Sequence, residues 1–422
     1  MFAYKANQLI DGTGAPPIQD AVLLVEGERI VDVGRAADLG IPADAQVIDC
    51  GAATLMPGLI DAHTHVMATG KPEQPPTSRY GDSIAYMAVQ ATANARTNLE
   101  CGITTLRDVG SIGYIDVALR DAIANGIVPG PRMKVAGQGV TVTGGHMDPR
   151  GIPEHIVIMG KTGVANGAEQ MRAAARHQLK MGADLIKINS DGKPGNSKAV
   201  EPLYRQEMTF DEMRAVCQVA HWEGKFVATH CAGGSGTLDA INAGVNTLEH
   251  AHWLTDEHID AMVRMGAFWV PTFTAPYNTL KLGREASNAP DYTWDWKTKA
   301  WEGAQASFER ARTAGVPIVV GTDAGYRYCL HGETAREMLI MVEELGMSEL
   351  EAIAAATSVA SRALDWDDEI GSLAPGKYAD FLVLADDPLA ELSILLQPDT
   401  IRRVVKGGET VVRREEAQPV LA

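Results

Sequence analysis

Two histidines two residues apart, His63 and His65, close an apolar run that reads as a β-strand. Side chains at i and i+2 leave the same face of a strand, so both imidazoles point the same way. Paired imidazoles suit a borderline metal such as Zn²⁺. The pair alone is weak, because two polar residues in a loop give the same string. Other residues add to it. His230 ends Phe226-Val-Ala-Thr-His230, His250 ends Thr247-Leu-Glu-His250 and Asp323 ends Val320-Gly-Thr-Asp323. A structural core histidine is the ordinary reading of any one of these. Polar residues closing four separate apolar runs point instead to convergence on one rim. Lys187 lies inside Leu185-Ile-Lys-Ile188. A lysine in an apolar strand is costly to bury charged and tends to lose its proton. A neutral amine there can take up CO2 as a carbamate, an anionic ligand able to bridge two cations. Snorkelling to solvent from the strand end is the bland alternative.

These residues need a frame. Eight strands are predicted: Gly58–His65, Thr104–Gly110, Arg132–Gly139, Leu185–Asn189, Phe226–His230, Thr247–His250, Phe268–Thr272 and Ile318–Asp323. Helices are predicted between them, among them Ala168–Met181, Thr209–Trp222, Asp256–Met265 and Thr298–Ala314. Such alternation is the signature of a parallel α/β barrel, whose active site sits at the C-terminal ends of the strands. A doubly wound sheet would open with a Gly-rich loop after its first strand, where this chain has His-Thr-His. Both termini are strand-rich. Ala21–Val33 reads as a hairpin around Gly27, and the run from Ile401 turns at Gly407-Gly408 into Thr410-Val-Val. The fold class expected is α/β, a (β/α)8 TIM barrel at 58–365 with a small β-sandwich domain built from 1–57 and 366–422.

The chain resembles the amidohydrolase superfamily through Pro57-Gly-Leu-Ile-Asp-Ala-His-Thr-His65 and the strand-end residues above. Thr143-Gly-Gly-His146, Ala183-Asp-Leu-Ile-Lys-Ile188, Glu249-His250 and Gly321-Thr-Asp-Ala-Gly325 are similar to its prolidase-like and imidazolonepropionase-like branch. That branch includes Xaa-Pro dipeptidases, carboxypeptidase-like enzymes and ochratoxin-type amidases. Gly371-Ser-Leu-Ala-Pro-Gly-Lys-Tyr-Ala-Asp-Phe381 resembles the superfamily's return to its β-domain. The resemblance implies a binuclear centre of two divalent ions, Zn²⁺ first among them. His63, His65 and Asp323 would hold the more buried ion, His230 and His250 the more exposed one, and carboxylated Lys187 would bridge them. Two cations ~3.5–4 Å apart bring the pKa of a bridging water toward ~7. Asp323 would then shuttle the proton from that hydroxide to the leaving nitrogen.

The resemblance also suggests substrate contacts. His146, after the third strand, is favoured for substrate. His331 is equally suited to orienting a loop. Peptide-cleaving relatives carry a tyrosine where this chain has Met208, with Tyr204 and Arg205 just upstream as substitutes. That departure puts a simple dipeptide substrate in doubt. His252 is read as loop structure, and Cys231 as facing away from the ligands. The stretches 66–82 and 273–297 read as long loops on the catalytic face. The second carries Tyr277, Tyr292, Trp294 and Trp296, which suit an apolar pocket or a subunit contact.

The reading is thus a hydrolase of an N-acyl amino acid or dipeptide-like amide. Its rivals are a cyclic-amide hydrolase, a deaminase or imidazolone-type hydrolase, and an inactive scaffold. Deaminase relatives lack the lysine and carry a glutamate soon after the fifth-strand histidine, where this chain reads His230-Cys-Ala-Gly-Gly. A scaffold would lose ligands, and all six are retained. The net charge of −17 argues against nucleic acid. Five cysteines without CxxC spacing argue against a disulfide framework and for a cytoplasmic setting. No export signal and no membrane span are expected. A small-molecule substrate and, by analogy with relatives, a homo-oligomer are expected.

Overall fold

The computed structural model describes residues 1–73, 81–148, 163–192 and 204–414. Period-two apolar patterning at the N-terminus gives β1 (Phe2–Leu9) and β2 (Ile18–Glu26), paired antiparallel, and β2 turns at Gly27 into β3 (Arg29–Arg35). β4 (Gln46–Asp49) and β5 (Thr54–Pro57) run parallel to β1. Next come β6 (Leu59–Thr64), β7 (Ile103–Asp108), β8 (Arg132–Val135), β9 (Leu185–Asn189), β10 (Phe226–Cys231), β11 (Thr247–His250) and β12 (Phe268–Val270). The chain returns through β13 (Phe381–Leu384), β14 (Ile401–Lys406) and β15 (Glu409–Arg413). Gly407 and Gly408 carry φ of 57° and 75° between β14 and β15, the left-handed pair that a two-residue hairpin turn demands.

Strands from both ends form one connected sheet in the order β15-β14-β13-β5-β1-β2-β3, with β4 on β1. Among the described residues the terminal strands of both ends thus pair in one connected sheet. The sheet has its own core, in which Tyr4 meets Phe381 edge-on at 4.8 Å.

The middle strands are parallel and form two arcs, β6-β7-β8 and β9-β10-β11-β12. The parallel bridge Val140↔Ile188 joins the arcs on one side, and Trp269↔Ile318 and Thr64↔Ala324 join them on the other by way of residues 318–324. The predicted strand Ile318–Asp323 therefore differs from expectation. It is an irregular segment, tied by Val319 N–H to Trp269 O (2.8 Å), Ala62 N–H to Val320 O (3.0 Å) and Asp323 N–H to His63 O (2.8 Å). Close approach explains this. A Cβ on Gly321 would lie 2.5 Å from Val270 Cγ1 and 2.9 Å from His63 Cβ, so only glycine lets the segment press against both arcs.

Amphipathic helices cover the arcs: α1 (Ile84–Glu100), α2 (Ile115–Ala124), α3 (Ala168–Lys180), α4 (Phe210–Trp222), α5 (Ser235–Ala243) and α6 (Asp256–Met265). Thr209 and Glu212 form a reciprocal capping box that fixes where α4 begins. The stretch 273–297 is helical and not the long loop expected. α7 (Thr274–Leu282) and α8 (Asp291–Thr313) run through it, and Pro290 stands just before α8. α9 (Thr334–Glu343) follows the irregular segment. Part of the other expected loop, 74–80, lies outside the described residues. Among the described residues all five cysteines are free and no helix is long and apolar enough to cross a membrane.

Candidate metal centre and its cavity

The ends of β6, β9, β10 and β11 and the segment at Asp323 open into one cavity of about 340 Å3, within the usual range of small-molecule sites. His63, His65, Lys187, His230, His250 and Asp323 all line it. One ligand atom each from His63, His250 and Asp323 lie within 4.8 Å of one another. His63 Nε2 and His65 Nε2 lie 3.6 and 3.4 Å from Asp323 Oδ1. The His230 and His250 rings are 4.5 Å apart between centroids.

The far side of each imidazole explains these orientations. His63 Nδ1 lies 2.6 Å from Glu249 Oε2, His65 Nδ1 3.0 Å from the Gly110 carbonyl, and His250 Nδ1 2.6 Å from Thr272 Oγ1. Holding Nδ1 in this way leaves Nε2 facing the cavity, the usual arrangement behind a metal-ligating histidine. Glu249 is itself anchored. Its other oxygen accepts from Arg107 Nη2 at 2.7 Å and from Thr247 Oγ1 at 2.5 Å, and the whole set is buried. His250, Thr272 and Asp323 adopt φ of 71°, 52° and 61°, conformations that residues with a Cβ rarely take. Such strain concentrates where geometry serves a site.

Charge state follows from burial. Desolvation, with the Lys187 charge second, lowers the His63 pKa to about 4 despite its bond to Glu249. Burial, reinforced by neighbouring imidazoles, takes His230 and His250 well below the ordinary range. All three are thus neutral, as ligation requires. Burial would raise the Asp323 carboxyl, but the His65 hydrogen bond and the charges around it outweigh that and hold it low. Desolvation lowers Lys187 to about 8, and its buried Nζ has no hydrogen-bond partner among the described residues. An orphan amine among inward-turned nitrogens and a carboxylate fits a centre in which further ligand atoms are still to be added. The donor set suits divalent cations of the imidazole-loving kind.

A model of the amidohydrolase family matches residues 54–411, most of the chain. The chain belongs to the amidohydrolase family. Ochratoxinase of Aspergillus niger is 28% identical over 96% of this chain and 85% of its own length. A Xaa-Pro dipeptidase, whose crystal structure has methionine bound in its active site, superposes with a TM-score of 0.86 at 31% identity, covering 97% of this chain and 99% of that one. Imidazolonepropionase of Streptomyces avermitilis is 24% identical over 88% of this chain and 83% of its own. These place the protein among the hydrolases of the branch that its motifs suggest. The solved neighbours of this amidohydrolase also imply a TIM barrel within the α/β fold.

Around the six ligand-type residues the amidohydrolase differs from the sequence reading. His146 lines the cavity and stacks on His230 at 3.7 Å, held by its backbone N–H to Glu207 Oε2 at 2.6 Å. Met208, Tyr204, Arg205 and His331 do not line it. Met208 is wholly buried in the core between sheet and helices. The Tyr204 ring turns toward Trp253, 6.2 Å away. Arg205 donates to the Gly144 carbonyl at 3.3 Å and pairs with Glu207 at 3.6 Å, bracing the loop that carries His146. His331 bonds the Ala68 carbonyl at 2.8 Å and Asn98 at 3.1 Å, orienting the loop after β6. Cys231 borders the cavity, its thiol donating to the Glu249 carbonyl at 3.6 Å within the core. Of the four aromatics named at 273–297 only Trp296 reaches the cavity, while the Tyr277 hydroxyl bonds Glu344 at 2.7 Å.

Other lining residues escaped the sequence reading. Thr293, Trp296 and Lys297 share one face of α8 through their i, i+3, i+4 spacing and form a wall with Ala275, Pro276 and Tyr326. Only recognising 291–313 as a helix would have revealed that face. Glu249 and Arg107 were hidden for another reason. Each is one charged residue in a β-strand, and their meeting depends on which strands are neighbours. His252 stands two residues beyond His250, the spacing of His63 and His65, and that repeat was a readable signal.

Proposed function

We propose that this amidohydrolase cleaves the amide joining an acyl group to an amino acid, using two divalent cations. The observation that carries the reading is the convergence of His63, His65, Lys187, His230, His250 and Asp323 on one cavity, with three imidazoles fixed from behind and the Lys187 amine without a hydrogen-bond partner among the described residues. His63, His65 and Asp323 would hold one ion and His230 and His250 the other. A carbamate on Lys187 would lie between them. Its formation needs a neutral amine, and burial, by lowering the pKa to about 8, brings that form within reach as a minor fraction near neutral pH. Zn²⁺ best matches the imidazole-rich set. Bound there, the cations would supply a nucleophile from water near pH 7 and polarise the scissile carbonyl.

The chain's own residues do the rest. Asp323 is kept ionised beside both histidines of β6 and accepts the proton of the attacking water. It then returns that proton to the departing nitrogen. Glu249 holds the His63 ring in the tautomer that turns a lone pair inward. His146, stacked on His230 at the cavity edge, is placed to touch substrate. The apolar α8 wall suits a bulky or aromatic portion. The Xaa-Pro dipeptidase and ochratoxinase relatives support an amide with an amino-acid side. The same reading takes 58–365 as a closed (β/α)8 barrel with 1–57 and 366–422 as its companion domain. The bridges from 318–324 to both arcs support that closure.

The test loads purified protein with Zn²⁺ and bicarbonate, measures metal by elemental analysis, and screens N-acyl amino acids and dipeptides. About two ions per chain and turnover of an N-acyl amino acid are expected. One ion with Lys187 unmodified would turn the reading toward single-metal relatives, and no amide hydrolysis across the panel would refute it.

A further inference from the structure

His252 lines the cavity at 3% exposure, and neither of its ring nitrogens has a hydrogen-bond partner among the described residues. Buried polar atoms are nearly always paired, and leaving both sides of an imidazole unpaired is costly. Such an orphan calls for a ligand group. The ring is not placed as a member of the metal cluster. It stacks on His250 at 6.0 Å between centroids and meets the edge of Trp296 at 5.6 Å. His252 therefore stands at the junction of the polar metal side and the apolar α8 wall.

Beside it is Lys297, the buried cation of that wall. Its Nζ donates to the Ala275 carbonyl and to Thr279 Oγ1, each at 2.7 Å, and its charge is felt at His252. These two bonds fix the ammonium at the cavity. A donor next to a fixed positive charge, on a wall whose other members are Thr293, Trp296, Ala275, Pro276 and Tyr326, selects an anionic acceptor over a neutral one. Tyr204, Arg205 and Met208, the other substrate contacts that the sequence suggested, lie outside the cavity lining.

Resting on the amide-hydrolase reading above, we propose that His252, backed by Lys297, binds the carboxylate of the substrate's amino-acid portion, so that this group is read from the β11 and α8 side. The inference deepens that reading by requiring a free carboxylate next to the scissile amide, with the adjoining side chain against Trp296. It makes His252 a specificity residue whose cost in the empty protein is an unsatisfied buried imidazole.

The experiment compares wild type, His252→Phe and His252→Gln as metal-loaded enzymes. Phenylalanine keeps the ring volume and removes both nitrogens; glutamine keeps a donor. The paired substrates are N-acetyl-phenylalanine and N-acetyl-phenethylamine, which differ by the carboxylate. His252→Phe should raise KM for the acid at least ~10-fold, the worth of a lost bond to a charged group, and leave KM for the phenethylamide unchanged. His252→Gln should restore most of the loss. Calorimetric binding of phenylalanine and phenethylamine gives a readout that needs no turnover. The acid-selective affinity should vanish in His252→Phe even if no amide proves to be a substrate, which separates failure of this inference from failure of the functional reading. His252→Phe should also melt no lower than wild type, because it removes unpaired buried nitrogens. Equal effects on acid and phenethylamide probes, no effect on either, or a lowered melting temperature with both activities reduced would overturn the proposal.

Discussion

Glu249→Gln tests the support beneath the metal centre. Glu249 accepts on one oxygen from His63 Nδ1 at 2.6 Å, and on the other from Arg107 at 2.7 Å and Thr247 at 2.5 Å. Glutamine keeps the shape but offers one acceptor oxygen and one NH2 donor. If the oxygen stays with Arg107, the NH2 faces His63 Nδ1. The imidazole must then accept there and carry its proton on Nε2, which removes the inward lone pair. In either orientation the buried Arg107 guanidinium loses its counter-charge, and if the amide flips it also loses its acceptor and faces the NH2. The first outcome should weaken metal binding ~10–100-fold, the usual worth of a partner behind a ligand. Both should destabilise the metal-free protein, the flipped amide more, since removing one member of a buried ion pair costs ~3–5 kcal/mol. Zinc affinity by chelator competition, with thermal melting of the metal-free protein, distinguishes the two. A companion double variant, Arg107→Met with Glu249→Leu, should recover much of the stability lost by Glu249→Leu alone while keeping the metal defect. If Glu249→Gln matches wild type in both zinc affinity and melting temperature, the argument that Glu249 sets the His63 tautomer is refuted.

Asp323→Asn should lower kcat by at least ~10² with substrate affinity largely kept, measured with metal content alongside; near-normal turnover would remove the proton-transfer role. Trp296→Ala should raise KM for aromatic substrates more than for small ones. Trp294→Ala, one step round α8 from the i, i+3, i+4 face, should leave that preference alone; equal effects of the two on substrate preference would discount the α8 wall. Gly321→Ala should lower the melting temperature and impair metal uptake together, because its Cβ would sit 2.5 Å from Val270 Cγ1 and 2.9 Å from His63 Cβ. A stable, metal-replete Gly321→Ala protein would show that the segment can relax without disturbing β6.

Local periodicity was enough to place most of the elements. Leu185–Asn189, Thr247–His250 and Asp256–Met265 fold within the predicted limits, because a short apolar run or an amphipathic stretch with a capping residue carries its own signal. Strand-end position likewise showed which polar side chains could meet, since parallel strands bring their C-terminal ends to one rim. The irregular segment at Ile318–Asp323 was not legible as such. Its apolar run reads as a strand, and only the crowding of Gly321 against Val270 and His63 makes it a wedge. The start of α8 was misread because the composition of 273–297 resembles a loop, whereas burial of one face extends the predicted helix Thr298–Ala314 back to Asp291. Tertiary structure alone decided which charged residues serve the ligands. Arg107 and Glu249 are 142 positions apart and meet only because β7 and β11 both face the interior. It also decided what lies beyond the metal residues, withdrawing Met208 into the core and setting His252 unpaired beside Trp296. Ligand identity is written in residue type at strand ends. Orientation, proton position and the shape of the substrate wall depend on contacts between distant segments, which sequence spacing does not encode.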